Sequence, residues 1–385
     1  MDLIALTEEM MAWRRELHAH PEFGFEEQRT AGFVADKLRE FGLDEVVEGV
    51  GGTGVVGTLR RGTGAGAIGL RADMDALRIQ ERGGHAHRSQ TPGVMHACGH
   101  DGHTAMLLGA AKLLVANGGF DGVVRFIFQP AEEWGRGALA MLDDGLLARF
   151  PIEEIYGLHN MPGVPIGHFE TCPGPLMSAE DNFEIVLRGQ GGHASRPHEL
   201  REVMVAACAT VMDLQSIVSR RLDPGDAAVV SVTELTTDGA RNVLPGEAHI
   251  LGDVRSFRPE VSAAVEREMR KIAAGVASSY GCDAHVAYSR EFVPLVNHPG
   301  PTRAALAAAE AVFGSDGIKG DRAPITASED FARFLLHVPG CFAFIGNGGD
   351  SLPLHNAEFD FDDRSLAYGA RYFHQIARTR LPRPG

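Results

Sequence analysis

No stretch of the 385 residues reaches eighteen consecutive apolar side chains, so nothing reads as a membrane-spanning helix. Cysteine is scarce. The five present (Cys98, Cys172, Cys208, Cys282 and Cys341) are scattered and odd in number, which fits a reducing compartment better than a disulfide framework. Positive charge is also short: the formal net charge is −15. That excludes a broad nucleic-acid-binding face and a polybasic membrane anchor. The opening MDLIALTEEMMAWRRELHAHPE carries acids and arginines where a secretory signal needs an apolar run. A cytoplasmic location is therefore expected. Low-complexity tracts and internal repeats are missing as well.

The length suffices for two domains and more than one core. Segment 26–41 has apolar residues at helical spacing and stops at Gly42. GTGVVGTLR, AIGLRADMD, GVVRFIFQP and EIYGLHN read as strands, and HTAMLLGAAKLLVANGG and GALAMLDDGLLARF as helices between them. This alternation predicts an α/β layer with a mostly parallel sheet. Over residues 182–290 the order becomes β-α-β-β-α-β, the ferredoxin-like pattern. Helix–strand alternation then returns. The expected organisation is an α/β domain over 1–180 and 291–385, interrupted by an α+β domain over 181–290.

The stretch GVMHACGHDGHTA packs His96, Cys98, His100, Asp101 and His103 together. Cys98 as thiolate and His100 as imidazole suit zinc and similar divalent ions. By itself the stretch reads equally well as a buried thiol among solvated histidines. Other segments tip the balance toward metal. Asp73 and Asp75, Glu132 and Glu133, His159 and His355 each follow a predicted strand. Sites in open parallel sheets form at the carboxyl ends of strands, so one rule gathers all these groups at one edge.

Those blocks, with RRELHAHPEFGFEE, RADMDAL, QPAEE, GLHNMPG, GGHASRPH, NVLP, SEDFA and LHN, resemble the aminoacylase / hippurate hydrolase branch of the M20 metallopeptidases over nearly the whole chain. The resemblance implies a metal-binding catalytic domain interrupted by a ferredoxin-like lid and dimerisation domain. It implies two divalent ions per subunit (zinc, manganese, cobalt or nickel) and a homodimer or higher homo-oligomer. Its ligands fall on Cys98, placed to bridge, and on His100, Glu133, His159 and His355. Glu132 takes the place of the catalytic base, His193 that of a lid histidine reaching substrate, and Asn242 that of a substrate-binding residue. The implied reaction is hydrolysis of N-acyl amino acids. A dipeptidase or carboxypeptidase, or a binding protein without catalysis, is the alternative on this scaffold. The chain departs from the usual pattern at Ser195 and HELRE, at Trp134 and Arg136, and in loop 80–90, QERGGHAHRSQ.

The chemistry agrees with these roles. A two-ion centre acidifies a water and polarises an amide carbonyl, and a base must keep its lone pair free of metal. Two adjacent glutamates permit that division. Asp73, Asp75 and Asp101 are expected to orient ligand histidines, and His103 to be packed or hydrogen-bonded. His96 is a competing ligand. His18 and His20 are expected to cap a helix or lie in solvent, and His85 and His87 to be solvated. Arg255 either holds a substrate carboxylate or pairs with an acid.

Overall fold

The computed structural model describes residues 2–383. The chain forms two compact units, one made of Met1–Leu176, Val296–Ala323 and Glu329–Gly385, the other of Met177–Leu295 and Pro324–Ser328.

The first unit is built on an eight-stranded sheet. Its spatial order is Glu45–Val50, Gly54–Arg61, Gly122–Gln129, Ala67–Asp73, Glu154–Met161, Gly340–Gly346, Phe169–Glu170, Ile318–Lys319. The four central strands, from Gly122–Gln129 to Gly340–Gly346, run parallel. They are buried along almost their whole length, which is why they read as continuous apolar runs rather than alternating ones. Glu45–Val50 and Gly54–Arg61 add antiparallel strands at one side. The helix His100–Asn117 is apolar all round, and its first twelve residues are buried, as expected of a helix inside a core. The residue before it, Gly99, has φ 94°, and a Cβ there would stand 2.4 Å from Asn160 Oδ1. Only glycine meets both conditions, so the Cys98–His100 turn depends on it.

The segment SEDFARFLLHV holds only the single helical turn Ala332–Leu335. Its leading acids have other partners: the Phe331 amide donates to Glu329 Oε1, and Arg71 binds both Glu329 and Asp330.

The second unit runs β-α-β-β-α-β: strand Ala179–Arg188, helix Met204–Ser216, strands Ala228–Thr237 and Glu247–Ser256, helix Pro259–Tyr280, strand Asp283–Phe292. Its sheet is antiparallel, with the second strand at one edge followed by the third, first and fourth. Strand Glu247–Ser256 buries alternate residues. Ala248, Ile250 and Val254 pack with Phe183, Ile185 and Leu187 and with Val265, Met269 and Ala273 of the long helix. The first helix is shorter than its apolar pattern suggests, because Ile217–Arg221 widens into a π turn. Pro324–Ser328 belongs to this unit through Ser178, whose amide bonds the carbonyls of Ile325 (3.1 Å) and Ala327 (2.9 Å).

Candidate metal centre

The carboxyl ends of the parallel strands bring the sequence-predicted ligands together. Cys98 Sγ, a His100 ring nitrogen and a His159 ring nitrogen lie within 4.8 Å of one another, and so do ligand atoms of Cys98, Glu133 and His355. Cys98 is common to both groups. Neighbouring oxygens orient the two buried histidines. His159 Nδ1 sits 2.6 Å from the Asn160 carbonyl, and His100 Nδ1 sits 2.9 Å from the Asp75 carbonyl and 3.1 Å from its Oδ1. A carbonyl only accepts, so each Nδ1 carries the hydrogen and each neutral ring turns a lone pair outward on Nε2. His159 Nε2 points it at Cys98, 3.4 Å away.

His100 Nε2 and Glu133 Oε1 are both buried without a hydrogen-bond partner, and they stand 4.0 Å apart. An unsatisfied buried polar atom is costly. Two facing each other, each offering a lone pair, fit a shared cation. His355 completes the group with Nε2 3.3 Å from Glu133 Oε1. It holds a left-handed backbone at φ 64°, pinned by its amide to the Ala97 carbonyl at 2.8 Å. Ala131, directly before Glu132, is also left-handed at φ 47° and is held by a hydrogen bond to Glu27 Oε1. Such conformations cost of order 1–3 kcal/mol and gather at functional sites.

Electrostatics favour the same occupant. Burial and the neighbouring His103 keep His159 well below the usual histidine range, so it is neutral, as a ligand must be. Burial opposes a charged His100, yet Asp73, Asp75 and Glu133 lift it to about 10. The surrounding carboxylates demand positive charge there, and a metal ion answers that demand as well as a proton does. Burial, with Glu133, Glu132 and Asp73, pushes the Cys98 thiol well above its ordinary value; its thiolate needs a cation beside it. Burial and Glu329 raise Glu132 well above the carboxylate range. Glu133 lies below that range, because His355 and His100 outweigh its burial. The donor set of thiol, imidazoles and carboxylate suits borderline divalent ions.

Asp75 orients His100 as expected, and Asp73 accepts from His103 Nδ1 at 2.6 Å. His103 is also bonded to Asn160. His20 Nδ1 meets the Glu16 carbonyl at the helix end. Four expectations change. Asp73 orients His103, which is not among the expected ligands. Asp101 orients His18, at 2.8 Å, and not a ligand histidine. His18 is wholly buried rather than capping or solvated. His85 and His87 are not solvated either: they face Glu81, Asp360 and Arg14, because the loop folds back over helix Leu3–Ala19. His96 is buried beside His18 with neither ring nitrogen bonded. Sequence reasoning gave no role to Arg71, Glu329 and Asp330. Arg71 binds Asp73 (2.8 Å), Glu329 (2.9 Å) and Asp330 (3.2 Å), and the Asp330 amide lies 3.4 Å from Glu132 Oε1. An arginine inside an apolar strand was the available signal.

Residues 69–379 match peptidase family M20/M25/M40. The chain belongs to that family. This M20 protein is 39% identical over 380 residues to a hippurate hydrolase of Campylobacter jejuni, covering 99% of this chain and 98% of the other. It is 37% identical over 365 residues to an N-acetylcysteine deacetylase of Bacillus subtilis, covering 94% of this chain and 94% of that one. Among solved structures, a dinuclear metal-binding peptidase of the M20 family from Bacillus subtilis superposes with a TM-score of 0.86 at 33% identity, covering 98% of this chain and 99% of the other.

In the second unit of the M20 chain, His193 and Asn242 are neighbours. Two short strands, Gly192–His193 and Val243–Leu244, pair antiparallel, and the Ala194 amide bonds the Asn242 carbonyl at 3.1 Å. His193 is exposed. Its Nδ1 is engaged by Ser195 through the amide (3.1 Å) and Oγ (2.8 Å), which gives the unusual Ser195 a function in orienting the ring. Arg255 has taken the acid-pairing alternative: its guanidinium meets Glu180 at 2.8 Å, Asp253 at 2.9 Å and Ser328 Oγ at 2.8 Å. A substrate carboxylate there would have to compete with two carboxylates already bound.

Proposed function

We propose that this chain is a metal-dependent amidohydrolase that cleaves N-acyl amino acids to a carboxylic acid and a free amino acid. The facing pair His100 Nε2 and Glu133 Oε1, with the Glu132 carboxyl beside it (Oε2 3.9 Å from His100 Nε2), carries the reading. Cys98, His100, Glu133, His159 and His355 would hold two divalent ions. Bound there, the ions supply Lewis acidity toward water and toward the amide carbonyl. Glu132 accepts the proton of the attacking water and passes it to the departing amine. Hippurate and N-acetylcysteine, for which the two relatives are named, are both N-acyl amino acids.

His193 donates to the oxyanion of the tetrahedral intermediate, and Asn242 beside it contacts substrate. The protein works as a homodimer. Strand Ala228–Thr237 lies at a sheet edge, and edges invite pairing. Near it the unit exposes Met204, Val205, Met212, Val229 and Leu235, apolar area that a second copy would cover. Among the described residues no helix is long and apolar enough to cross a membrane, and all five cysteines are free thiols, which supports a reducing, cytoplasmic setting.

The test is a panel of N-acetyl and N-benzoyl amino acids against dipeptides with a free amine, using chain reconstituted with zinc, manganese, cobalt or nickel. Turnover of the N-acyl compounds, abolished by a chelator, is expected. Turnover of the dipeptides alone would overturn the reading.

A further inference from the structure

We propose that His18, His85, Glu81 and Asp360 form a second, separate binding site for a borderline divalent cation such as zinc. It lies in the same unit as the metal centre but uses none of its ligands. Ligand atoms of His18, His85 and Asp360 lie within 4.8 Å of one another. Glu81 Oε1 is 3.3 Å from His18 Nε2 and 2.6 Å from His85 Nε2. His85 Nε2 is nevertheless buried with no aligned hydrogen bond. Two imidazoles and two carboxylates are a donor set that such ions accept.

The orientation of His18 matches that of a metal ligand. The Asp101 carboxylate accepts from His18 Nδ1 at 2.8 Å, as carboxylates do behind metal-binding histidines. In the neutral ring this leaves the Nε2 lone pair facing Glu81, another lone pair, and only a cation or a proton reconciles the two. The charges agree. Arg14, wholly buried, meets Asp101 at 3.5 Å and Asp360 at 2.6 Å, and Asp363 is shared with Arg15. With one aspartate set against Arg14, the charges of Glu81 and one further carboxylate remain for a dication to neutralise. A pocket of about 550 Å³ touches the cluster at Asp360 and is lined by five carboxylates (Asp350, Glu358, Asp360, Asp362, Asp363) against two arginines.

His85 lies in loop 80–90, the stretch that departs from the family pattern, so the site belongs to this chain's own variation. A cation there ties the end of helix Leu3–Ala19 to that loop and to the segment carrying Asp360. Through Asp101 it braces the helix that begins at His100.

The test compares full-length wild type with His85→Gln and Asp360→Asn, each loaded with Co²⁺ and desalted. Bound cobalt is counted per chain, and the thiolate-to-cobalt absorption of Cys98 is recorded. One ion fewer in each variant, with the thiolate band intact, is expected. Equal ion counts in all three proteins would overturn the proposal and leave a proton on His18 as the compensating charge. Loss of the ion together with the thiolate band would overturn it too, by showing that the cluster is not separate. Neither readout needs turnover, so the result stands apart from the proposed amidohydrolase activity.

Discussion

Cys98 Sγ faces His159 Nε2 at 3.4 Å, while the other nitrogen of the ring is fixed by the Asn160 carbonyl at 2.6 Å. A thiol and an imidazole lone pair thus converge, and Cys98 is also grouped with Glu133 and His355. If Cys98 bridges two ions, Cys98→Ala loses at least one ion per chain and most activity. Cys98→Asp recovers part of both, since a carboxylate also bridges. Elemental analysis showing two tightly held ions in Cys98→Ala removes the bridging role.

Glu132 lies beside the proposed ligands His100 and Glu133 and is proposed to move the proton. Glu132→Gln keeps the shape and removes the base. Metal content and substrate binding should be unchanged, with kcat lower by at least ~10²-fold. Normal turnover by this variant, measured at saturating substrate, would reassign the base.

His193 has one ring nitrogen engaged by Ser195 and is proposed to use the other on the oxyanion. His193→Ala should leave ion content intact and reduce kcat by roughly two to three orders of magnitude, the usual loss for such a donor. Mixing His193→Ala with Glu132→Gln subunits separates two arrangements. If His193 serves the partner's site, one site in each mixed dimer carries both groups and activity returns. If it serves its own chain, every site lacks one group and the mixture stays inactive.

Glu27 is fully buried and holds Thr53 Oγ1 at 2.6 Å and the Ala131 amide at 2.9 Å. Burial wins over these hydrogen bonds and raises its pKa from 4.5 to about 7. A folded-state pKa above the unfolded value means that the folded chain binds the extra proton. The contribution is therefore fully present below pH 4.5 and is lost as pH rises through about 7. Between those limits wild type should lose up to roughly 3 kcal/mol relative to Glu27→Gln. Urea unfolding of both proteins across this window checks the sign. A parallel pH dependence in the two would show that Glu27 keeps an ordinary pKa.

Periodicity and punctuation carried the local structure. The buried runs ending in Asp73, Gln129 and Gly346 read as central strands because both their faces are apolar, and the alternation in Glu247–Ser256 marked a sheet with one covered face. The strand-end rule gathered Asp73, Asp75, Glu132, Glu133, His159 and His355 at one edge with the Cys98–His100 block, and the family resemblance singled out Cys98, His100, Glu133, His159 and His355 among them as the expected ligands. Pairings between distant charged residues were not legible in this way. His18 meets Asp101 across 83 positions and Arg71 meets Glu329 across 258. Neither partner disturbs the apolar pattern around it in a way that names the other. The left-handed turn at His355, the docking of Pro324–Ser328 on Ser178 and the folding of His85 and His87 onto Glu81 and Asp360 are of the same kind. Helical and strand periods report which face of an element is buried. Which polar groups then meet depends on how those faces pack, and that is decided only when the whole chain closes on itself.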